Sequence, residues 1–322
     1  MKINFALFPL ILMLLLTAWG CGAESDRRPV IAVSFDSQRE IVERIAGEGW
    51  QVVSLMPPGS DPEMFDPDMR TMKGLERAEV YMTTSTLGFE QQTGERIRAN
   101  YPSLPVVDLT EGIDILMHTH EVAGASAHAD HDRLPSPHDD GDEVDECHSH
   151  GAGSHQVGDP HLLSSLRNAR RVARNVTEAL CRLRPDSAAI YRSRFHRLDT
   201  ELEHRDHLTD SLLTASEAKG GTIVVMHPSL SYYARDYGLV QLPLEADGKE
   251  ASPRQLEQRL QLARQSRARA LFYERGHSEP QARQIAAELH TGAFPVMLNG
   301  SDFLSRIDDV TRAVAAGSTQ QK

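Results

Sequence analysis

Two histidines stand where backbone elements begin or end. Asp159-Pro160-His161 precedes a segment with helical spacing, and His227 follows the apolar run Thr222-Ile223-Val224-Val225-Met226. Carboxylates occupy two comparable places. Glu63 lies in Gly59-Ser60-Asp61-Pro62-Glu63-Met64-Phe65-Asp66-Pro67, just past an apolar run ending near Met56, and Glu274 closes Leu271-Phe272-Tyr273-Glu274. Two imidazoles with one or two carboxylates suit a divalent ion such as zinc, which has no ligand-field preference and accepts four nitrogen or oxygen donors. These residues are scattered along the chain, so no local zinc-finger spacing joins them. A single histidine after a strand is more often structural; only a fold that gathers these side chains could make them a site.

The pattern between these points predicts such a fold. Short β-branched runs at 29–35, 50–56, 80–84 and 105–109 alternate with helical spacing at 37–46, 66–78 and 88–100. A second series follows, with strands expected at 222–226, 240–244, 268–273 and 295–298. Its helices are expected at 253–265, 279–290 and 302–315. Strands alternating with helices of this length imply βαβ units and parallel sheets. Ser252-Pro253-Arg254-Gln255 is a helix start, with a capping serine, proline in the first turn and glutamine three residues after the cap. Tyr191, Phe195, Leu198 and Leu202 form one stripe of a helix over 185–213, about 45 Å long at 1.5 Å per residue. The expected architecture is α/β: two lobes of parallel sheet with flanking helices, joined by a long rigid helix. Parallel sheets bind ligands at the carboxyl ends of their strands, which places a metal site in the interlobe cleft. The expected division is 1–20 export signal, 21–183 first lobe, 184–216 connecting helix and 217–322 second lobe.

The 322 residues carry a net charge of −12, with 40% hydrophobic and 25% charged side chains. That is ordinary for a globular protein, and the acidic balance argues against nucleic acid as a partner. Three cysteines, Cys21, Cys147 and Cys181, form neither a disulfide framework nor a paired zinc knuckle. The N-terminal segment has Lys2 and then no charge through Ala23, which reads as an export signal. Gly20-Cys21 at its end resembles a bacterial lipoprotein processing site, with Cys21 as the lipidated residue. The competing reading is a secretory signal with an incidental cysteine. No other stretch reaches the roughly 20 apolar residues that span a bilayer.

Eight of the fifteen histidines fall in one polar stretch, about 117–159: His118, His120, His128, His131, His138, His148, His150 and His155. With nearby Asp139, Asp140, Asp142 and Glu143 they could hold metal loosely, and Cys147 could add a thiolate. The stretch has almost no large apolar residues, so a disordered insertion in the first lobe is expected. His204 and His207 share one helix face, and with His196 are expected on a solvated surface; His277 and His290 suggest no role.

Several stretches carry a family resemblance: SLMPPGSDPEMFDP (54–67), TLGFE (86–90), VVDLTEGI (106–113), GDPHLLSSLRNARRVARNVTEAL (158–180) and VVMHPSLSYYARDYGLVQLPLEADGKEASPRQL (224–256). They resemble the metal-specific solute-binding proteins of bacterial ABC importers, the zinc and manganese group. The resemblance covers nearly the whole chain after the signal. It implies two lobes on a long rigid helix, and metal ligands at His161 and His227. Where most of the family have a first histidine, this chain has Glu63, with Asp61 and Asp66 as substitutes. The family's usual aspartate aligns with Asn299, so Glu274, Asp302 or water is left to complete the shell. A His- and acid-rich insertion is associated in that family with zinc. The resemblance thus implies a monomeric, exported lipoprotein facing the periplasm or cell exterior. It would capture Zn(II) and pass it to an importer permease with its ATPase. Imidazole must be deprotonated to bind, so affinity should fall as pH drops through about 6.5, the ordinary histidine value. Three alternatives compete: a manganese- or iron-specific protein, which Glu63 favours; a surface adhesin on the same fold; and a zinc hydrolase. The last would need a general base and substrate pocket, and no H-E-x-x-H motif is present.

Overall fold

The computed structural model describes residues 28–57, 60, 65–117, 158–245, 251–274, 278–298, 300 and 302–317. The export signal with Cys21, Asp61, Glu63, the eight histidines from His118 to His155, Cys147, His277 and Asn299 lie outside them.

The first lobe comprises β1 (Val30–Val33), α1 (Asp36–Ala46), β2 (Gln51–Ser54), α2 (Met69–Gly74), β3 (Ala78–Thr83), α3 (Gly88–Asn100) and β4 (Val106–Asp108). Two helices then run back to back, α4 (Leu166–Leu183) and α5 (Ala188–Ala215). The second lobe follows with β5 (Thr222–Val225), α6 (Ser231–Tyr237), β6 (Val240–Pro243), α7 (Pro253–Gln265), β7 (Ala270–Glu274), α8 (Glu279–Glu288), β8 (Gly292–Val296) and α9 (Phe303–Gly317). The sheets share one topology, β2-β1-β3-β4 and β6-β5-β7-β8, and every pairing is parallel. In each, the chain changes direction beside the first strand, which opens a crevice there at the carboxyl ends.

Side-chain alternation decides which face meets which helices. In the second sheet Ile223, Val225, Ala270 and Phe272 point to one core with α9, while Val224, Met226, Leu271 and Tyr273 point to another with α7 and α8. In the first, Ile31, Val33, Val80 and Met82 face α1 and α4, and Ala32 and Tyr81 face Met72, Leu75 and Ile97. These runs are buried on both faces, which is why they are apolar at nearly every position.

Helix α5 has 28 residues and spans about 42 Å. Tyr191, Leu198 and Leu202 are buried along its stripe, and Phe195 packs against the same core. Its polar side serves both lobes, since Glu201 pairs with Arg44 of α1 and Arg205 pairs with Asp308 of α9. His196, His204 and His207 lie on its exposed surface. Cys181 is a half-buried free thiol whose Sγ lies 3.8 Å from the Ala188 carbonyl. Among the described residues no helix is long and apolar enough to cross a membrane.

Three elements differ from the sequence expectation. The helix expected over 66–78 is the short α2 followed by a 3-10 turn, Leu75–Arg77. Pro67 disfavours helical backbone at Asp66, so the helix starts after Asp68, whose side chain accepts from Thr71 N–H at 2.7 Å. The last strand begins at Gly292 instead of Pro295, because β8 is an edge strand and tolerates a residue without an N–H. Helix α6 is absent from the periodicity. Its SYYARDY sequence buries Tyr232, Tyr233, Ala234 and Tyr237 and is only seven residues long, too short for a periodic stripe to mark it, and Gly238 ends it in left-handed backbone at φ 65°.

One contact between lobes carries a prediction. Glu40 on α1 accepts a hydrogen bond from Phe303 N–H, the start of α9, at 3.1 Å. Burial pushes the Glu40 carboxyl above its ordinary range, although this backbone bond and Arg44 oppose the shift. A raised folded-state pKa favours the protonated acid, so this group's contribution to stability is present at low pH and lost as pH rises through that value. Glu40→Gln keeps the acceptor without the charge. Its melting temperature at pH 7 should equal or slightly exceed wild type, and the difference should vanish near pH 4. A marked loss at pH 7 in a thermal melt would show that the ionised carboxylate stabilises the contact.

Candidate metal centre

His161 and His227 come from different lobes and are 4% and 7% exposed. Their rings meet edge to face with centroids 5.0 Å apart. His161 caps the 3-10 turn Leu162–Ser164, whose two leucines anchor it in the core. The Asp159 carboxylate accepts from His161 N–H at 2.8 Å and lies 3.0 Å from Nδ1. With the Nδ1 proton directed at Asp159, Nε2 presents its lone pair. That Nε2 is buried and has no hydrogen-bond partner.

The sheet register places the other two residues. Val225 pairs with Phe272, and Met226 N–H donates to the Phe272 carbonyl at 2.9 Å. Continued by two residues, the register sets His227 abreast of Glu274, at the crevice between β5 and β7. His227 Nδ1 lies 3.5 Å from Glu245 Oε2, so each histidine has a buried carboxylate on its Nδ1 side. This is the outer arrangement that commonly fixes ring orientation in metal-binding histidines.

His161, His227 and Glu274 each offer one ligand atom, and these atoms lie within 4.8 Å of one another. Donors 2.0–2.2 Å from a tetrahedral zinc stand roughly 3.4 Å apart, so modest side-chain rotations would close the three onto one ion. Among the described residues no other such group of histidines, cysteines and carboxylates forms. Asp66 is exposed, 3.7 Å from Arg96 Nη1, and Asp302 is exposed where α9 begins; neither joins the group. His290 is exposed at the end of α8.

The family model for the periplasmic component A of zinc-uptake complexes, ZnuA, matches residues 31–313. The chain belongs to the ZnuA family. A putative metal-binding protein of Treponema pallidum is 27% identical over 270 residues, 82% of this chain and 77% of its own length. The manganese-binding lipoprotein MntA of Halalkalibacterium halodurans is 23% identical over 314 residues, 92% of either chain. Among solved structures, ZnuA itself superposes with a TM-score of 0.73 at 26% identity, covering 90% of this chain and 99% of that one. A zinc-bound ZnuA deletion mutant matches equally well. The two-lobe α/β architecture is therefore shared with this family of metal-binding periplasmic proteins.

Two carboxylates behind these histidines are not picked out by the sequence alone. Asp159 lies inside the DPH motif, two residues before His161, so its signal was spacing. Glu245 follows β6, and only strand order brings it to His227: its N–H donates to the Met226 carbonyl at 3.0 Å.

The rim of the first lobe is set by Glu90, 3% exposed at the start of α3. Its carboxylate accepts from Thr84 N–H and Oγ1, Thr86 N–H and Leu87 N–H at 2.9–3.1 Å, and from Ser34 Oγ. The loop so fixed packs on the segment carrying His161. A Cβ on Gly158 would lie 2.5 Å from Ile115 Cγ2 and 3.7 Å from Thr86 Cγ2. Any larger residue at 158 would have to displace the Ile115 side chain.

Proposed function

We propose that this chain captures Zn(II) in the cleft between its lobes and hands it to the permease of an ABC importer. His161 from the first lobe and His227 and Glu274 from the second bind the ion. Glu63 or water completes the shell. Two observations carry this reading: a ligand atom of His161 lies within 4.8 Å of donors from the other lobe, and His161 Nε2 is buried without a hydrogen-bond partner. A buried nitrogen lone pair without a partner costs free energy unless something fills the space. Ligands on both lobes make bound metal a cross-link, so metal favours a joined state that an importer can tell from the empty one. The chemistry is capture and release, not catalysis. Export and a lipid anchor at Cys21 fit the N-terminal sequence, and the His-rich insertion fits a loose auxiliary collector of zinc.

Manganese is the second reading. A relative named for manganese binding and the carboxylate donor Glu274 favour it, since manganese prefers more oxygen ligands. Calorimetric titration of the chain without residues 1–20, with zinc and with manganese, decides between them. One-to-one zinc binding, tighter than manganese and retained when residues 118–155 are deleted, is expected. Tighter manganese binding would replace the zinc reading, and binding that disappears with the insertion would remove the cleft site.

A further inference from the structure

Tyr232 of α6 is fully buried, and its hydroxyl crosses from the second lobe to the first. It donates to the Asp159 carbonyl at 2.9 Å and accepts from Leu116 N–H at 3.2 Å. Those two residues are also joined directly, Asp159 N–H donating to the Leu116 carbonyl at 2.7 Å. One hydroxyl thus engages both sides of the backbone pair beside the Met117–Gly158 bridge. Arg235 holds the same phenol from outside: its guanidinium lies 5.1 Å from the ring centroid and donates to the Asp114 carbonyl at 3.1 Å. Burial pushes the Tyr232 hydroxyl above its ordinary range, so it remains a donor throughout the neutral range.

The position of this contact gives it a consequence beyond packing. Asp159, whose carbonyl Tyr232 binds, turns its carboxylate to His161. Tyr232 itself lies five residues after His227, joined to it by a short turn in which Ser229 N–H donates to the His227 carbonyl at 2.8 Å. A single phenol therefore links the two histidine-bearing segments through buried groups.

We propose that Tyr232 is a positioning residue that sets the His161–His227 separation before metal arrives, by fixing Asp159 from the opposite lobe. The inference rests on the metal reading given above. The hydroxyl touches no metal; it acts through Asp159 and, through it, the orientation of the His161 ring.

The test is Tyr232→Phe, which keeps the ring and removes the hydroxyl. Zinc affinity should fall about tenfold, the lower end of what loss of an outer-shell partner costs, while the metal-free melting temperature moves by only a few degrees. In an Asp159→Asn background, which keeps all three proposed ligands, the same substitution should cause little further loss, because the carboxylate through which it acts is gone. Equal loss in both backgrounds would mean a general structural role and would overturn the proposal. A second readout needs no metal. The His161 ring nitrogens of the metal-free protein should give one set of NMR signals in wild type, and exchange-broadened or doubled signals in Tyr232→Phe. If wild type binds zinc, and Tyr232→Phe binds it equally with unchanged ring signals, this proposal fails and the metal site stands. If wild type binds no zinc, the metal site fails, and the ring signals still decide whether Tyr232 orders His161.

Discussion

His227→Ala should lower zinc affinity by more than the roughly 10–100-fold that loss of an outer-shell partner costs, which amounts to loss of tight binding in a calorimetric titration. His227 follows β5 directly, and its position opposite Glu274 comes from the β5–β7 register, so no neighbouring histidine can move into its place. Removing the imidazole leaves His161 in one lobe and Glu274 in the other, with one nitrogen donor between them. The fold should be little affected, since the ring lies at the end of the sheet rather than between core layers. Circular dichroism should therefore be unchanged while zinc no longer raises the melting temperature, as a ligand that binds only the native state does. Unchanged affinity in this variant would remove the cleft assignment altogether.

Glu90→Ala should produce the largest loss of stability. The carboxylate is buried and serves donors on Ser34, Thr84, Thr86 and Leu87. Alanine removes their common acceptor and leaves several buried donors without one. Each buried donor left without an acceptor costs about 1–3 kcal/mol, so the total should be several kcal/mol. For a chain of this size that corresponds to a fall in melting temperature of roughly 5 °C or more. Glu90→Gln, which keeps one carbonyl acceptor but turns an NH2 group toward backbone N–H donors, should fall between wild type and alanine. A melting temperature within a degree of wild type for Glu90→Ala would show that water replaces the carboxylate. Because this loop packs against Gly158, the alanine variant should also weaken zinc binding, although less than His227→Ala.

Much of the molecule follows from local sequence. The β-branched runs and the helical stripe of α5 are read from periodicity, because burial on one or both faces demands apolar residues at fixed spacing. The Ser252 cap works as its sequence indicates: Gln255 Oε1 accepts from Ser252 N–H at 3.0 Å, and Ser252 accepts in return from Gln255 N–H. Local signals failed where context decides. Helix α6 hides because its seven residues are too few to show a period, and Pro295 suits β8 only because that strand lies at an edge.

His161, His227 and Glu274 could be named as donors from residue type and position at element ends, and the family motifs made two of them specific. Their convergence could not be read from spacing. It depends on the β5–β7 register, on the order of the strands, and on contacts between lobes such as Tyr232 with Asp159. Glu245 was hidden for the same reason, since it reaches His227 only through the β5–β6 pairing, whereas Asp159 stands two residues from His161. Residue chemistry and periodicity are properties of the chain read in order. A metal centre built from distant segments is a property of their packing, which long-range pairing alone determines.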